Sequence, residues 1–199
     1  MKSYNPRLIV LLLALSLASL SPVCFARGQA AAGVTVAYVD GAAAKLSIAQ
    51  VQKLLLLRAP IAVPTYVPAG FRVSDVSTRR DTKTSPGFVI IDYHITYAGP
   101  GGKSFSIDSA NEGIGDVMLS EKTIKGSNPF FENGVEVGFV DDEENGPGPK
   151  AVASQWVSSR RQYQLRKTEA GTQMYHLESS GITQREALKI MESLRYLKR

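Results

Sequence analysis

Between Phe88 and Tyr97 the chain alternates with a period of two residues. Val89, Ile91, Tyr93, Ile95 and Tyr97 share one side of an extended backbone, and Phe88, Ile90, Asp92, His94 and Thr96 share the other. A helix would scatter these β-branched and aromatic residues around its whole circumference, so the segment predicts a strand with one buried face. Such a strand needs neighbours on both edges and something apolar to cover that face. Ala98-Gly99-Pro100-Gly101-Gly102 predicts a turn, and Lys103 to Ser109 brings the chain back with Phe105 and Ile107 on one face. Strand texture begins at Val63 and continues in Phe71–Arg80 and Val117–Lys125. It recurs in Gly134–Val140, where Val135, Val137 and Phe139 fall together, and in Val152–Ser158, Tyr163–Lys167 and Gln173–Glu178.

Helical signals bracket these strands. Ser47 with Gln50 three residues on has capping-box spacing, and Ile48, Val51, Leu54, Leu55 and Arg58 lie along one stripe before Pro60 and Pro64. Near the other end Thr183 and Glu186 repeat the capping box. Ile182 can staple to Ala187, and Ala187, Ile190, Met191, Leu194 and Leu197 trace an amphipathic stripe. The order helix, run of strands, helix predicts an α+β fold. We expect a largely antiparallel, curved β-sheet with the N-terminal and the C-terminal helix packed on it. Residues 47–199 are expected to form a single domain without internal repeats, preceded by an Ala/Gly-rich linker or loosely held first strand over 27–46.

Residues 1–26 have the composition of a secretory signal peptide. Lys2 and Arg7 are positive, Leu8 to Leu20 is apolar over about 13 residues, and Cys24 and Ala26 put small residues at −3 and −1 of a cut before Arg27. The apolar run is short of the roughly 20 residues that span a hydrocarbon core, which disfavours a retained anchor. A lipoprotein cysteine at Cys24 is disfavoured by Val23 and Ser21, which stand where a small and an aliphatic residue are usual. Cutting after Ala26 removes the only cysteine, so the mature chain has no disulfide and no thiolate. We therefore expect an exported protein, periplasmic or extracellular, that relies on its hydrophobic core. The formal charge of +5 falls to +3 without Lys2 and Arg7, and Arg79-Arg80 and Arg160-Arg161 are the densest basic pairs. These read as solvated charge, and no nucleic-acid partner is expected.

Chemistry-bearing motifs are few. Asp92 and His94 are neighbours on one strand face, and Asp108 on the returning strand can join them as an acid/base or metal cluster. A metal site usually needs three ligands, and the only other histidine, His176, is far along the chain, so a wet sheet face is the favoured reading. Neither a Gly-x-Ser-x-Gly elbow nor a Gly-x-x-x-x-Gly-Lys-Ser/Thr phosphate loop occurs. Asp141-Asp142-Glu143-Glu144-Asn145-Gly146 is acidic but lacks the alternating ligands of a calcium loop. No catalytic residue, cofactor or metal is expected, and the chain reads as a non-enzyme. Trp156 is expected in the core. Phe130 and Phe131 are the candidate contacts for a partner or ligand. In extended backbone one ring enters the core and the other stays outside, whereas a loop folded over the sheet end buries both.

The run Pro64-Thr65-Tyr66-Val67-Pro68-Ala69-Gly70-Phe71 resembles the opening motif of a bacterial domain of unknown function. That domain is found in exported proteins and in the extracytoplasmic part of anti-sigma-factor-like membrane proteins. The resemblance extends through the strand around Tyr93, Asn133-Gly134, Trp156, Tyr163-x-Leu165 and the segment Thr183 to Leu194, and so covers roughly Ala62 to Leu194. Asp141 to Lys150 and the N-terminal helix depart from its pattern. The resemblance implies an exported accessory or sensory domain and brings no catalytic residues. The function expected is a non-catalytic module that binds a partner protein or an envelope component. The alternatives are a carrier or sensor of an apolar ligand held between sheet and C-terminal helix, and an enzyme of another type. Intact-mass measurement of exported protein is expected to find Arg27 at the N-terminus. A diacylglycerol-modified Cys24 there would contradict the export reading.

Overall fold

The computed structural model describes residues 38–82, 89–112, 114–140 and 151–199. Residues 1–26 with Cys24, read above as a signal peptide, most of the expected linker, Phe88 and the acidic stretch from Asp141 to Pro149 lie outside the described residues.

The strand that the alternation predicts is β4 (Ile90–Ala98). Val89 and the four residues that share its side are buried, while Ile90, Asp92, His94 and Thr96 are half-buried. It pairs antiparallel with β3 (Arg72–Asp81) on one edge and β5 (Ser104–Ala110) on the other. The turn between β4 and β5 is a single 3-10 turn at Pro100–Gly102. Gly101 and Gly102 have φ of 68° and 77° there, a left-handed backbone that glycine adopts without a Cβ clash.

Beyond β5 the sheet continues through β10 (Glu169–Ser180), β8 (Val152–Ser154), β7 (Val135–Phe139) and β6 (Ile124–Gly126). β10 is forked. Its N-terminal half pairs with β9 (Val157–Arg166), and its C-terminal end pairs with β8. Every pairing in this sheet is antiparallel. A second sheet has the order β1-β11-β2, with β1 (Tyr38–Val39) parallel and β2 (Ala62–Pro64) antiparallel to β11 (Leu194–Leu197). Mainly antiparallel sheet with two helices among the described residues fits an α+β fold.

Both capping boxes form. Helix α1 (Ile48–Leu55) is capped by Ser47 and Gln50, and α2 (Gln184–Glu192) by Thr183 and Glu186. On α1 the expected stripe is only partly used. Leu54 is buried, Val51 and Leu55 are half-buried, Ile48 is 80% exposed, and the helix stops before Arg58. Helix α2 packs across β6, β7 and β8 and buries Ala187, Ile190 and Met191. It ends at Glu192, which corrects the longer stripe. Ser193 closes the helix, its carbonyl accepts from Thr65 N and Thr65 Oγ1, and the chain leaves as β11. Leu194 and Leu197 stay buried in that strand, Leu194 opposite Pro64 of β2 and Leu197 opposite Val39 of β1, with Leu197 N donating to Ile61 O. Val117–Lys125 is likewise shorter than expected, with a single bridge from Leu119 to Val140 ahead of β6.

Three tyrosines on the buried face of the main sheet fasten the second layer to it. Tyr93 Oη accepts from Ala62 N at 2.8 Å and donates to Ala62 O at 2.9 Å. Tyr175 Oη donates to Pro60 O at 3.0 Å, and Tyr97 Oη to Ala44 O at 3.1 Å. Burial raises the pKa of all three phenols, so they remain protonated donors. We expect Tyr93→Phe to destabilise the fold by about 1–3 kcal/mol, because it leaves a buried N–H and a buried carbonyl of Ala62 without that partner. The check is the denaturation midpoint, with Tyr38→Phe at a half-exposed ring as the comparison.

Candidate functional site

Phe130 and Phe131, the contacts expected from the sequence, both lie in the core, at 5% and 1% exposure. Of the two arrangements open to the sequence, this is the one in which the loop folds over the sheet end and buries both rings. The backbone there is a turn rather than a strand: Phe131 N donates to Asn128 O, and Phe130 N to Asn128 Oδ1. The alternation of extended backbone therefore does not apply. Asn128, itself buried, donates through Nδ2 to the carbonyls of Met191, Glu192 and Leu194, which ties the loop to the end of α2. Phe130 then meets Tyr196 edge-on at 5.4 Å, and Phe131 meets Tyr175 at 5.6 Å. The pair is a lid on the core.

The wet face of the main sheet gathers more than its sequence suggests. Cross-strand register places His94, Asp108 and His176 side by side on β4, β5 and β10. His94 Nδ1 is bonded to Asp108 Oδ1, Ser106 Oγ donates to Asp108 Oδ2 at 2.8 Å, and His94 Nε2 meets Thr96 Oγ1 at 2.7 Å. Asp92 does not join them, since it pairs with Arg79 at 2.5 Å. Trp156, expected in the core, is half-buried between β8 and β9 and stacks on His176 at 4.9 Å. The hydrogen bond that His94 donates to Asp108 raises the pKa of His94, and burial lowers that of His176.

Carboxylate, imidazole and hydroxyl in line is an arrangement that can move a proton. It stands on a central strand whose backbone is paired on both edges, so β4 has no free pair of N–H groups to receive an oxyanion. Among the described residues no group of three His, Cys, Asp or Glu is placed to hold a metal ion. No helix among them is long and apolar enough to cross a membrane.

A different place is concave. A cavity of about 690 Å³ opens between β1, β9, β11 and the connection from α1 to β2. Leu55, Ala59, Pro60, Ile61 and Leu197 form its apolar part, Tyr38, Tyr163 and Tyr196 its aromatic part, and Arg58, Arg161, Lys198 and Arg199 its charged part. Among the described residues no acidic side chain lines it. Arg161 is half-buried and held between two rings, with its Cζ 5.5 Å from the centroid of Tyr38 and 5.7 Å from that of Tyr196. Its Nη1 donates to Tyr38 Oη. Tyr196 Oη meets Ser159 Oγ at 2.5 Å, and Tyr163 Oη donates to Gln173 Oε1 at 2.9 Å. Burial pushes Tyr163 up to about 12, so this phenol also stays protonated. None of the four cations forms an ion pair with a carboxylate among the described residues. Arg58 has a φ of 56°, a left-handed backbone that a side chain disfavours.

Sequence reasoning missed this cleft by reading Arg160-Arg161 as solvated charge. A signal was present. Arg161 has the same strand parity as Ser159 and Tyr163, whereas Arg160 points the other way. Comparison with family models, with curated proteins and with solved structures finds no match to this chain.

The two histidines make opposite contributions to stability with pH. His94 titrates above its ordinary value of 6.5 in the fold. Its contribution is therefore full below that value and fades as pH rises through the raised one. His176 titrates below 6.5, so its contribution is full above that value and is lost as pH falls through the lowered one. Denaturation midpoints should show His94→Gln more damaging at about pH 5.5 than at about pH 8.5, and His176→Gln the reverse. A pH-independent difference for both variants would contradict the assignment.

Proposed function

We propose that this chain is an exported, non-catalytic module that binds a component of the cell envelope, with the cleft around Arg161 as its site. The observation that carries the reading is an arginine held against two tyrosine rings without a carboxylate partner among the described residues, in a cavity whose other charged residues are also cationic. A site that keeps four like charges together is suited to an anionic occupant. Export rests on the pattern of residues 1–26, and the role of an accessory or sensory domain on the resemblance carried by Pro64–Phe71. The non-catalytic reading is supported by the fully paired backbone around His94 and by the distinct location of the concave site.

A second reading, a carrier of an apolar ligand, draws on the apolar lining of the same cavity. It differs from the expected ligand position, since the cleft is bordered by β9 and β11 rather than by the sheet and α2. The test offers immobilised mature protein to separated lipid, glycan and protein fractions of its native envelope. Wild type should retain one fraction, and Arg161→Glu should lower that retention by about tenfold or more, because it reverses the charge that faces the anion, at an unchanged thermal midpoint. Equal retention of every fraction by both proteins would remove the cleft as the site. A neutral ligand recovered by solvent extraction would favour the carrier.

A further inference from the structure

We infer that the anion taken by this cleft is a phosphoryl group carried on an apolar body. The inference rests on reading the cleft as the binding site, and adds the chemistry of its occupant.

The first argument is charge. Arg58, Arg161, Lys198 and Arg199 face one cavity that no acidic side chain lines among the described residues. A carboxylate neutralises one positive charge. A phosphomonoester carries between about 1.5 and 2 negative charges and three acceptor oxygens, and so satisfies a cluster of cations better.

The second argument is geometry. The guanidinium of Arg161 is fixed before any ligand arrives, by two tyrosine rings and by the bond from Nη1 to Tyr38 Oη. Its Nε and Nη2 have no partner among the described residues, which leaves one edge of the planar fork for two oxygens of an oxyanion. Tyr38 Oη accepts that bond and keeps its own proton to donate. Prior fixing of the fork lowers the ordering penalty of binding.

The third argument is the neighbouring surface. Leu55, Pro60, Ile61 and Leu197 continue the cavity without charge, which suits an alkyl or aromatic body attached to the phosphate. Arg58 brings a further guanidinium to the same cavity.

The same chemistry is offered by the head of a phosphatidic-acid-like lipid and by a soluble alkyl phosphate, and the experiment separates them. Calorimetric titration of the mature protein, residues 27–199, uses hexyl phosphate, hexanoate, hexanol and inorganic phosphate. Sedimentation uses phosphatidylcholine vesicles with and without phosphatidic acid. The variants are Arg161→Gln, the exposed Lys198→Gln in case the first perturbs folding, and Lys125→Gln as a cation outside the cleft. Hexyl phosphate should bind at least about tenfold more tightly than hexanoate and inorganic phosphate, and Arg161→Gln should weaken it by about tenfold or more. Lys198→Gln should weaken it less, and Lys125→Gln not at all. Phosphatidic-acid-dependent sedimentation that Arg161→Gln abolishes supports the inference with a lipid source, and binding confined to hexyl phosphate supports it with a soluble one. Equal, Arg161-dependent binding of hexyl phosphate and hexanoate would overturn the phosphoryl assignment while leaving the anion cleft intact. No binding of any probe, or binding that neither cleft substitution changes, would overturn the assignment and the cleft together.

Discussion

The second layer of this protein hangs from phenol hydroxyls. Tyr93, Tyr97 and Tyr175 project from the buried face of the main sheet and bond the backbone at Ala62, Ala44 and Pro60. Each bond adds only about 0.5–1.5 kcal/mol net, but leaving its partner unsatisfied in the interior costs more. The tyrosines thus fix where β2 lies, β2 fixes β11, and β11 fixes β1. Burial keeps the phenols protonated, so the attachment does not depend on pH over the range in which the histidines titrate.

The cleft follows from that attachment. Pro60 and Ile61 form part of its wall because the tyrosines hold the adjoining backbone, and Tyr196 reaches it from β11. Arg161 comes from the other layer, on β9, and fits between Tyr196 and Tyr38. The charged centre therefore sits where the two sheets meet, and its geometry depends on both. A guanidinium stacked between rings has little freedom, which is the property wanted of a binding group and at odds with a solvated surface charge.

The wet sheet face illustrates a different outcome. Register puts Asp108 beside His94, as the returning strand suggested, and adds the distant His176, which Trp156 stacks on. Yet the same ladders that align these side chains use up the backbone donors around them. The face is ordered by internal hydrogen bonds. The lid at Phe130 and Phe131 is ordered in a similar way, by Asn128 spending its amide on the end of α2.

Much of the secondary structure was legible in the sequence, because its signals are local. The alternation from Val89 to Tyr97, the glycines after Pro100 and the two capping boxes act over a few residues, and the structure contains each of them. Apolar spacing also identified Leu194 and Leu197 as buried, although not that they belong to a strand, since burial at 194 and 197 satisfies either period until a partner is chosen. The fork in β10, the half-exposure of Trp156, the inward turn of both phenylalanines and the cleft at Arg161 were decided only by tertiary structure. Each depends on which residue lies opposite which across long separations. Strand parity says that two side chains share a face, but only register, closed by the tyrosine bonds between layers, determines what they meet there.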